Sequence, residues 1–336
     1  MIESVLRSNL LVDLTEEQHF KNILLLSEFF NTRSSLKTYF KDPQLVSSYS
    51  YFYVPTYLHK MEFILAQCPE YLKNSLKQKE FIDFGSGPGT FSISLFDQLK
   101  KDSGFHLVDQ SSVMLDQAKK FMHALRVHSQ FYNKDLTSLP KGEILFMGHS
   151  LNEMGLEKAL TVINLLEPEI FFFIEPGTKD VFKDVLKLRR ELLNRNYFSL
   201  YPCPGQMDCP FERKDKGWCH QILRQSLSTE TQRIAQKVKL DRKIQPMVAH
   251  IYSKTTQKTF QRAHFVRFFK ETKFSFVWEV CDQGKLVLFE FLKKKHSKTL
   301  LKRLKKMSVG EKFEYVIIKQ KDDLKKQVVL SDKEKY

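Results

Sequence analysis

Apolar positions in the first seventy-five residues recur at helical spacing. Within residues 16–30 they fall at Phe20, Ile23, Leu24 and Phe30, and residues 57–72 repeat the period. From Phe81 the rhythm changes to short apolar runs alternating with amphipathic stretches. Phe81-Ile82-Asp83-Phe84 and Phe105-His106-Leu107-Val108-Asp109 read as strands, and residues 143–149 and 170–175 as two further buried strands. Residues 89–99 and 112–125 between them read as helices, the second carrying Val113, Leu115, Ala118 and Met122. Strand–helix alternation of this kind predicts an α/β fold with a mainly parallel, doubly wound sheet. After Tyr201 the texture changes again. Residues 221–239 are polar and read as helical. Apolar runs follow at 247–252, 263–269, 274–281 and 286–292, the last two straddling the turn signal Asp282-Gln283-Gly284. A basic helix is expected at 297–307, and residues 322–336 are charged and expected to fray. Three parts result: a helical region at 1–75, a Rossmann-like region at 76–200, and a cysteine-rich, β-rich, basic region at 201–336.

Composition refines this outline. With 336 residues, 42% hydrophobic and 28% charged, the chain can bury a real core, and its 29 phenylalanines predict an aromatic one. The formal charge is +15. The excess concentrates at residues 293–306, where Lys293, Lys294, Lys295, Lys302 and Arg303 stand among further lysines with no acid. Such a field favours a polyanion, most commonly RNA or DNA, over the alternative of a solvated lysine-rich surface. Glu3, Asp13, Glu16 and Glu17 argue against a signal or transit peptide, and no apolar run approaches bilayer length. Five cysteines in that context imply reduced thiols and a cytoplasmic protein rather than a disulfide framework.

Two motifs carry chemistry. The first is Asp83-Phe84-Gly85-Ser86-Gly87-Pro88-Gly89-Thr90, between a strand and a helix. Glycines let backbone approach a ligand closely, and the helix start offers unpaired amides. A dinucleotide site uses G-x-G-x-x-G to receive a pyrophosphate. Here the acid Asp83 precedes the glycines; it would repel pyrophosphate but suits the amino group of a methionine moiety. The pattern resembles the first motif of class I S-adenosylmethionine-dependent methyltransferases. In that reading Asp83, Gly85, Gly87 and Gly89 frame the methionine end. Asp109 takes the ribose hydroxyls, and Asp135 lies where such folds often contact adenine. The fourth strand ends in His149-Ser150-Leu151-Asn152-Glu153. It lacks the Asn/Asp-Pro-Pro-aromatic motif of base amino-methyltransferases and a pyrimidine-type cysteine nucleophile. Asn152 and Glu153 point at cofactor or substrate, or else cap the following helix, so no catalytic residue is assigned.

The second motif is a run of thiols. Cys203, Cys209 and Cys219 fall within seventeen residues, with five and nine residues between them. That is not the paired C-x-x-C of a zinc ribbon. Cys203 and Cys209 each precede a proline, a habit of iron–sulfur loops. A fourth ligand is expected at Cys281, beside its turn, ahead of Cys68. On spacing alone three options stay open: a [4Fe–4S] cluster, a zinc site with His220 in place of one cysteine, and unliganded thiols.

Taken in order, Asp83-Phe84-Gly85-Ser86-Gly87-Pro88-Gly89-Thr90, Leu151-Asn152-Glu153, Glu175-Pro176-Gly177-Thr178, Cys203-Pro204, Cys209-Pro210, Gly217-Trp218-Cys219-His220 and Cys281-Asp282-Gln283-Gly284 resemble a known family. It is that of the methyltransferase-like small-ribosomal-subunit proteins, the mitoribosomal assembly factors of the Rsm-twenty-two type and their bacterial homologues. The resemblance spans roughly residues 51–310. It implies a methyltransferase-type Rossmann domain that binds S-adenosylmethionine, a [4Fe–4S] cluster on Cys203, Cys209, Cys219 and Cys281, and action on small-subunit rRNA by a monomer without membrane contact. The cluster would fasten the β-rich region to the Rossmann region. Two rivals accompany this reading: a non-catalytic assembly factor on the same fold, and a methyltransferase of small molecules or proteins. This chain departs from the family in a longer loop holding Lys214, Asp215 and Lys216, and in a thinner basic stretch before Cys281, where Phe265, Phe268 and Phe269 stand.

Overall fold

A computed structural model describes residues 2–32, 39–133, 136–203, 206–212, 217–255 and 263–330. The chain forms two compact units, Met1–Pro168 with Arg224–Ile244, and Glu169–Leu223 with Gln245–Tyr336. The boundaries expected near 75 and 200 both fall inside these units.

The first unit begins with α1 (Ile2–Arg7), α2 (Glu16–Thr32), α3 (Pro43–Leu65) and α4 (Glu70–Gln78). α3 starts where the Asp42 carboxylate accepts the amides of Gln44 and Leu45, with Pro43 in the first turn, where its missing N–H costs nothing. The helix read over 57–72 is in fact two, because Pro69 sets the start of α4. Then come β1 (Phe81–Phe84), α5 (Thr90–Leu99), β2 (Phe105–Val108), α6 (Ser112–Ala124), β3 (Ser129–Tyr132), β4 (Ile144–Gly148), α7 (Leu151–Met154) and α8 (Leu156–Leu166). All four strands run parallel in the order β3-β2-β1-β4. β1, β2 and nearly all of β4 are buried, as near-continuous apolar runs require. This is the Rossmann-like order, and it aligns the carboxyl ends of β1, β2 and β4 at the place where such sheets bind ligands.

The second unit contains β5 (Ile170–Pro176), α9 (Lys179–Asn194), β6 (Phe198–Tyr201) and β7 (Gln221–Arg224); α10 (Thr229–Lys237) returns to the first unit, and β8 (Ile244–Ser253) follows. β8 pairs antiparallel with both β5 and β6, and β7 also pairs with β8. The stretch 221–239, expected to be helical throughout, thus opens as a strand. Its polar first residue is buried, and the Gln221 side chain accepts the Ala249 amide at 2.8 Å.

The remaining elements are β9 (Ala263–Glu271), β10 (Ser275–Asp282), β11 (Lys285–Leu292), α11 (Lys298–Lys306), β12 (Lys312–Phe313), β13 (Tyr315–Asp322) and β14 (Lys325–Leu330), with a single 3-10 turn at Lys293–Lys295. They build a six-stranded sheet in the order β12-β9-β10-β11-β14-β13. Phe265, Phe276, Trp278, Phe289, Phe291 and Phe313 fill its core, each worth about 1.5–3 kcal/mol on burial. Ser297 caps α11, whose Leu304 is buried under that core while its lysines face out. The Asp282-Gln283-Gly284 turn is as expected: Asp282 pairs with Lys285, and Gln283 and Gly284 both take the positive φ of a tight hairpin turn. The tail expected to fray is a strand up to residue 330. Val328 and Leu330 are buried in the core, and the strand they anchor carries Lys325, Lys326 and Gln327 into the sheet. Among the described residues no helix is long and apolar enough to cross a membrane.

Candidate cofactor site and cysteine cluster

The glycine motif forms a rigid loop between β1 and α5. The amides of Gly85 and Ser86 both donate to the Val108 carbonyl, at 2.8 and 3.0 Å. Gly85 has φ +76°, and a Cβ there would stand 2.4 Å from the Ser150 Cβ, so no other residue fits. Ser150 in turn donates to the Phe84 carbonyl at 2.7 Å, tying the end of β4 to the end of β1. Gly89 caps α5, also with positive φ. Asp109 accepts the Gly87 amide at 2.8 Å through one oxygen and the Ser111 amide at 2.8 Å through the other. The sequence placed Asp109 at a ribose. The structure adds that it shapes the loop as well.

Asp83 is 1% exposed. One carboxylate oxygen accepts the Ser92 hydroxyl at 2.7 Å, while Oδ1 is buried without a hydrogen-bond partner. Burial lifts the carboxyl to about 7, against the hydrogen bonds from Ser92, and the charge of Asp109 adds to the rise. Burial also raises Asp109, against its backbone donors. Glu153, on α7, is exposed to solvent, yet desolvation by the surrounding protein pushes its carboxyl to about 7, with Asp109 again contributing. Three acids therefore crowd the carboxyl end of the parallel sheet, and no neighbouring cation is among the causes that set their ionisation. A ligand bearing an ammonium and a sulfonium suits that donor set. The orphaned Asp83 Oδ1 is the atom an ammonium would satisfy. Asn152 is exposed on α7. Asp135 lies outside the described residues.

Sequence reasoning missed the cluster of rings and cations around His149. His149 follows β4 with φ +57°, and its Nε2 accepts from the buried Lys60 ammonium at 2.9 Å. Tyr57 packs edge-on against His149 with ring centroids 4.7 Å apart, and the Lys60 ammonium lies 4.4 Å from the Tyr57 centroid. The Arg242 guanidinium covers Tyr53 at 4.7 Å and donates to the Tyr57 hydroxyl at 3.3 Å. Burial, with Lys60 and Arg242 adding, holds His149 well below its ordinary value, so the ring is neutral. A histidine after an apolar strand was the available signal; Lys60 and Arg242, distant in sequence, gave none.

The five cysteines are all free. Cys68 donates to the Ile64 carbonyl at 3.3 Å and belongs to the first unit. Cys203, Cys209, Cys219 and Cys281 all belong to the second unit, so they do not join two domains as expected; they link the loop after β6 and the approach to β7 with the end of β10. Cys203, Cys209 and Cys281 line one cavity with Arg189 and His264. Cys219 contacts the same His264, Sγ to Nε2, at 3.7 Å. Cys281 hydrogen-bonds to Cys203, and that bond, helped by Arg189 and Lys312, lowers the Cys203 thiol to about 7 against its burial. Burial and then the Cys203 charge push Cys209 up to about 12, and Cys219 rises for the same reasons. Gly284 permits the approach, since a Cβ there would meet the Asp208 carbonyl at 3.1 Å. Gly177 accepts the Trp218 indole N–H at 3.1 Å, which joins the Glu175-Pro176-Gly177-Thr178 and Trp218-Cys219-His220 motifs physically. His220 stacks on Trp218 and bonds its carbonyl at 3.4 Å; it is not among the residues lining the cavity. The histidine at the cavity is His264, register partner of Cys281.

Among the described residues no group of three or more His, Cys, Asp or Glu side chains is arranged to hold a single metal ion. The donor set nonetheless asks for an anionic group. Arg189, 2% exposed, lines the thiol cavity; it donates to the Met207 carbonyl at 2.5 Å and bonds Tyr252, and against its burial Cys203 and Tyr252 hold it charged. A buried guanidinium is costly unless an anion faces it. Four thiolates around an iron–sulfur cubane carry net negative charge and bind four separate irons, so their sulfurs need not meet at one point. Three of the expected thiols share one cavity with Arg189, and the fourth contacts His264, which lines it.

Of the basic residues singled out from sequence, Lys294, Lys295, Lys302 and Arg303 are exposed; Lys293 is half-buried and paired with Glu271 at 2.7 Å.

A family model described as mitochondrial small ribosomal subunit Rsm22 matches residues 46–314. A comparison with curated proteins returns no match. Among solved structures, magnesium protoporphyrin IX methyltransferase of Synechocystis PCC 6803 with bound SAM is 12% identical, covers 73% of this chain and 100% of its own, and has a TM-score of 0.39. The plantazolicin methyltransferase BpumL in complex with SAH is 12% identical over 70% of this chain and 99% of its own, at 0.40. TrmK of M. capricolum with SAH is 10% identical over 56% and 69%, at 0.32. Likenesses this distant carry no functional argument.

Proposed function

The chain belongs to the Rsm22 family of mitochondrial small ribosomal subunit proteins, and from that membership we propose that it binds S-adenosylmethionine, holds a structural [4Fe–4S] cluster, and acts on small-subunit rRNA during assembly. The observation that carries the cluster is the convergence of Cys203, Cys209 and Cys281 with the buried Arg189 on one cavity, and of Cys219 on His264 beside it. Joining segments separated by 61 intervening residues restricts the unfolded chain, so the cluster's role is structural. The zinc alternative needs the same sulfurs drawn to one point.

S-adenosylmethionine, when bound, supplies a methyl group made electrophilic by the adjacent sulfonium. The chain's own part is to position and desolvate. Asp83 Oδ1 pairs with the methionine ammonium. Gly85 and Gly87 keep side chains out of the way. Asp109 receives the ribose hydroxyls while holding the glycine loop. Asn152 and Glu153 flank the open side, and Asp135 is assigned to the adenine. The neutral His149, fixed by Lys60, stands where an acceptor would enter; held this way it excludes water and can take up a proton only at the cost of its bond from Lys60. Lys293, Lys294, Lys295, Lys302 and Arg303 engage rRNA phosphates. Reduced thiols agree with the cytoplasm, and the family name adds the mitochondrion.

The segment His149-Ser150-Leu151-Asn152-Glu153 favours a second reading in which the same fold assembles without catalysis, because it lacks the acceptor-binding motif of base amino-methyltransferases. Incubating cluster-loaded protein with tritiated S-adenosylmethionine and small-subunit precursors separates the two. Label in rRNA supports the enzyme. Label absent from every precursor, with S-adenosylmethionine still bound, leaves the assembly role alone. Label only in protein or small molecules, with no RNA binding, favours a methyltransferase of another substrate class.

A further inference from the structure

Two exposed features meet at the tip of the β9–β10 hairpin. The first is aromatic: Phe274 is 71% exposed, Phe269 49% and Phe268 44%. Phenylalanines left in water as a group mark a contact surface. They are not on loose chain. Thr272 donates its amide to the Ser275 carbonyl at 2.8 Å, and its hydroxyl accepts the amides of Ser275 at 2.9 Å and Phe274 at 3.2 Å. Phe274 therefore stands on a fixed turn. Phe268 also packs edge-on against the buried Trp278, centroids 5.1 Å apart, and so has a structural duty.

The second feature is the basic 3-10 turn Lys293–Lys295, nineteen residues further along. Its first amide donates to the Phe274 carbonyl at 2.8 Å, and the Lys293 ammonium reaches the Thr272 carbonyl and Glu271, each at 2.7 Å. Lys305 of α11 pairs with the same Glu271 at 3.4 Å, so this acid is doubly neutralised. The Lys270 and Lys273 ammoniums lie 5.9 and 5.7 Å from the rings of Phe269 and Phe274. Lys294 and Lys295 are free to face solvent.

Cations attract phosphates whatever the strand state, whereas flat rings accept only bases whose faces are open. A duplex keeps those faces stacked inside. We propose that the β9–β10 tip and the Lys293–Lys295 turn form one surface for unpaired RNA nucleotides, with Phe269 and Phe274 as stacking faces and the lysines on phosphates. This rests on the rRNA-binding reading above and adds the strand state and the residues. The density of cations around the rings favours RNA over an apolar protein partner.

The test uses the full, cluster-loaded chain and fluorescence anisotropy with a short labelled RNA of mixed sequence, single-stranded and annealed to its complement. The double variant Phe269→Ala/Phe274→Ala is expected to weaken single-strand binding about tenfold or more. Its salt dependence should not change, and duplex affinity should stay near wild type. Phe274→Trp in place of Phe274→Ala should restore binding. Lys294→Ala/Lys295→Ala should weaken both RNAs and reduce the slope of log affinity against log salt by about 1–2. Wild-type single-strand affinity in the phenylalanine variant, or equal loss for both RNAs, overturns the proposal. So does intact RNA binding with a loss only in co-sedimentation with small subunits, which would make the tip a protein contact. A wild-type chain that binds neither RNA overturns the rRNA reading itself.

Discussion

S-adenosylmethionine should bind more tightly as pH rises from 6 to 8, and Asp83 should be a cause. The carboxyl is buried, holds one bond from Ser92 at 2.7 Å, and is lifted to about 7 by desolvation. At pH 6 it is mostly protonated and cannot pair with an ammonium until the proton leaves. With a free-protein value of about 7 and a much lower one in the complex, affinity is cut roughly elevenfold at pH 6 and by roughly a tenth at pH 8, a tenfold gain across the interval. Glu153, also lifted to about 7, can add to the slope. Asp83→Asn copies the neutral acid, so the fold should survive; affinity at pH 8 should drop and its pH slope should flatten. The same shift has the opposite sign for the unliganded fold. A carboxyl raised by burial stabilises fully below its unfolded value of about 3.9, and that contribution fades as pH climbs through about 7, at most about 4 kcal/mol. Without cofactor, Asp83→Asn should therefore melt above wild type at pH 8, the gap closing towards pH 4. Isothermal titration calorimetry in two buffers of different ionisation enthalpy counts the protons released. A flat affinity from pH 6 to 8 with no proton release would refute this reasoning, as would a wild-type slope in the Asn variant.

Three further outcomes are expected. Gly85→Ala forces a Cβ to within 2.4 Å of Ser150 in left-handed backbone, so it should destabilise by about 1–3 kcal/mol in a thermal melt and abolish S-adenosylmethionine binding by calorimetry. Arg189→Met should lower the iron retained after purification and speed loss of cluster absorbance in air, and it should also destabilise the apoprotein, since the buried Met207 carbonyl and Tyr252 lose a partner. Cys281→Ser should lose iron and raise hydrogen exchange across residues 199–223 and 264–282, with exchange across 81–122 unchanged, because all four cysteines lie in the second unit; unchanged iron in this variant would remove Cys281 from the ligand set.

Local chemistry was legible in the sequence where the chain is its own context. The β1 glycine loop, the Asp282-Gln283-Gly284 turn and the Ser297-capped α11 each follow from adjacent residues. Partners brought in by topology were not. His264 reaches Cys219 because β9 aligns it with Cys281, a register no spacing reveals. Lys60 reaches His149 across 89 residues. Arg189 did leave a trace: it falls on the apolar face of α9 with Phe182 and Val185, where a charge needs a reason. β7 and β14 were misread because their polar residues hide buried ones, Gln221 bonded to Ala249 and Val328 inside the aromatic core.

Iron and acid-labile sulfide, quantified per chain after anaerobic purification and joined to the absorption and electron paramagnetic resonance spectra of the same sample, test the central claim most directly. Four irons and four sulfides per chain, lost together on Cys219→Ser, are expected. Stoichiometric zinc, or a folded chain with neither metal, would contradict it.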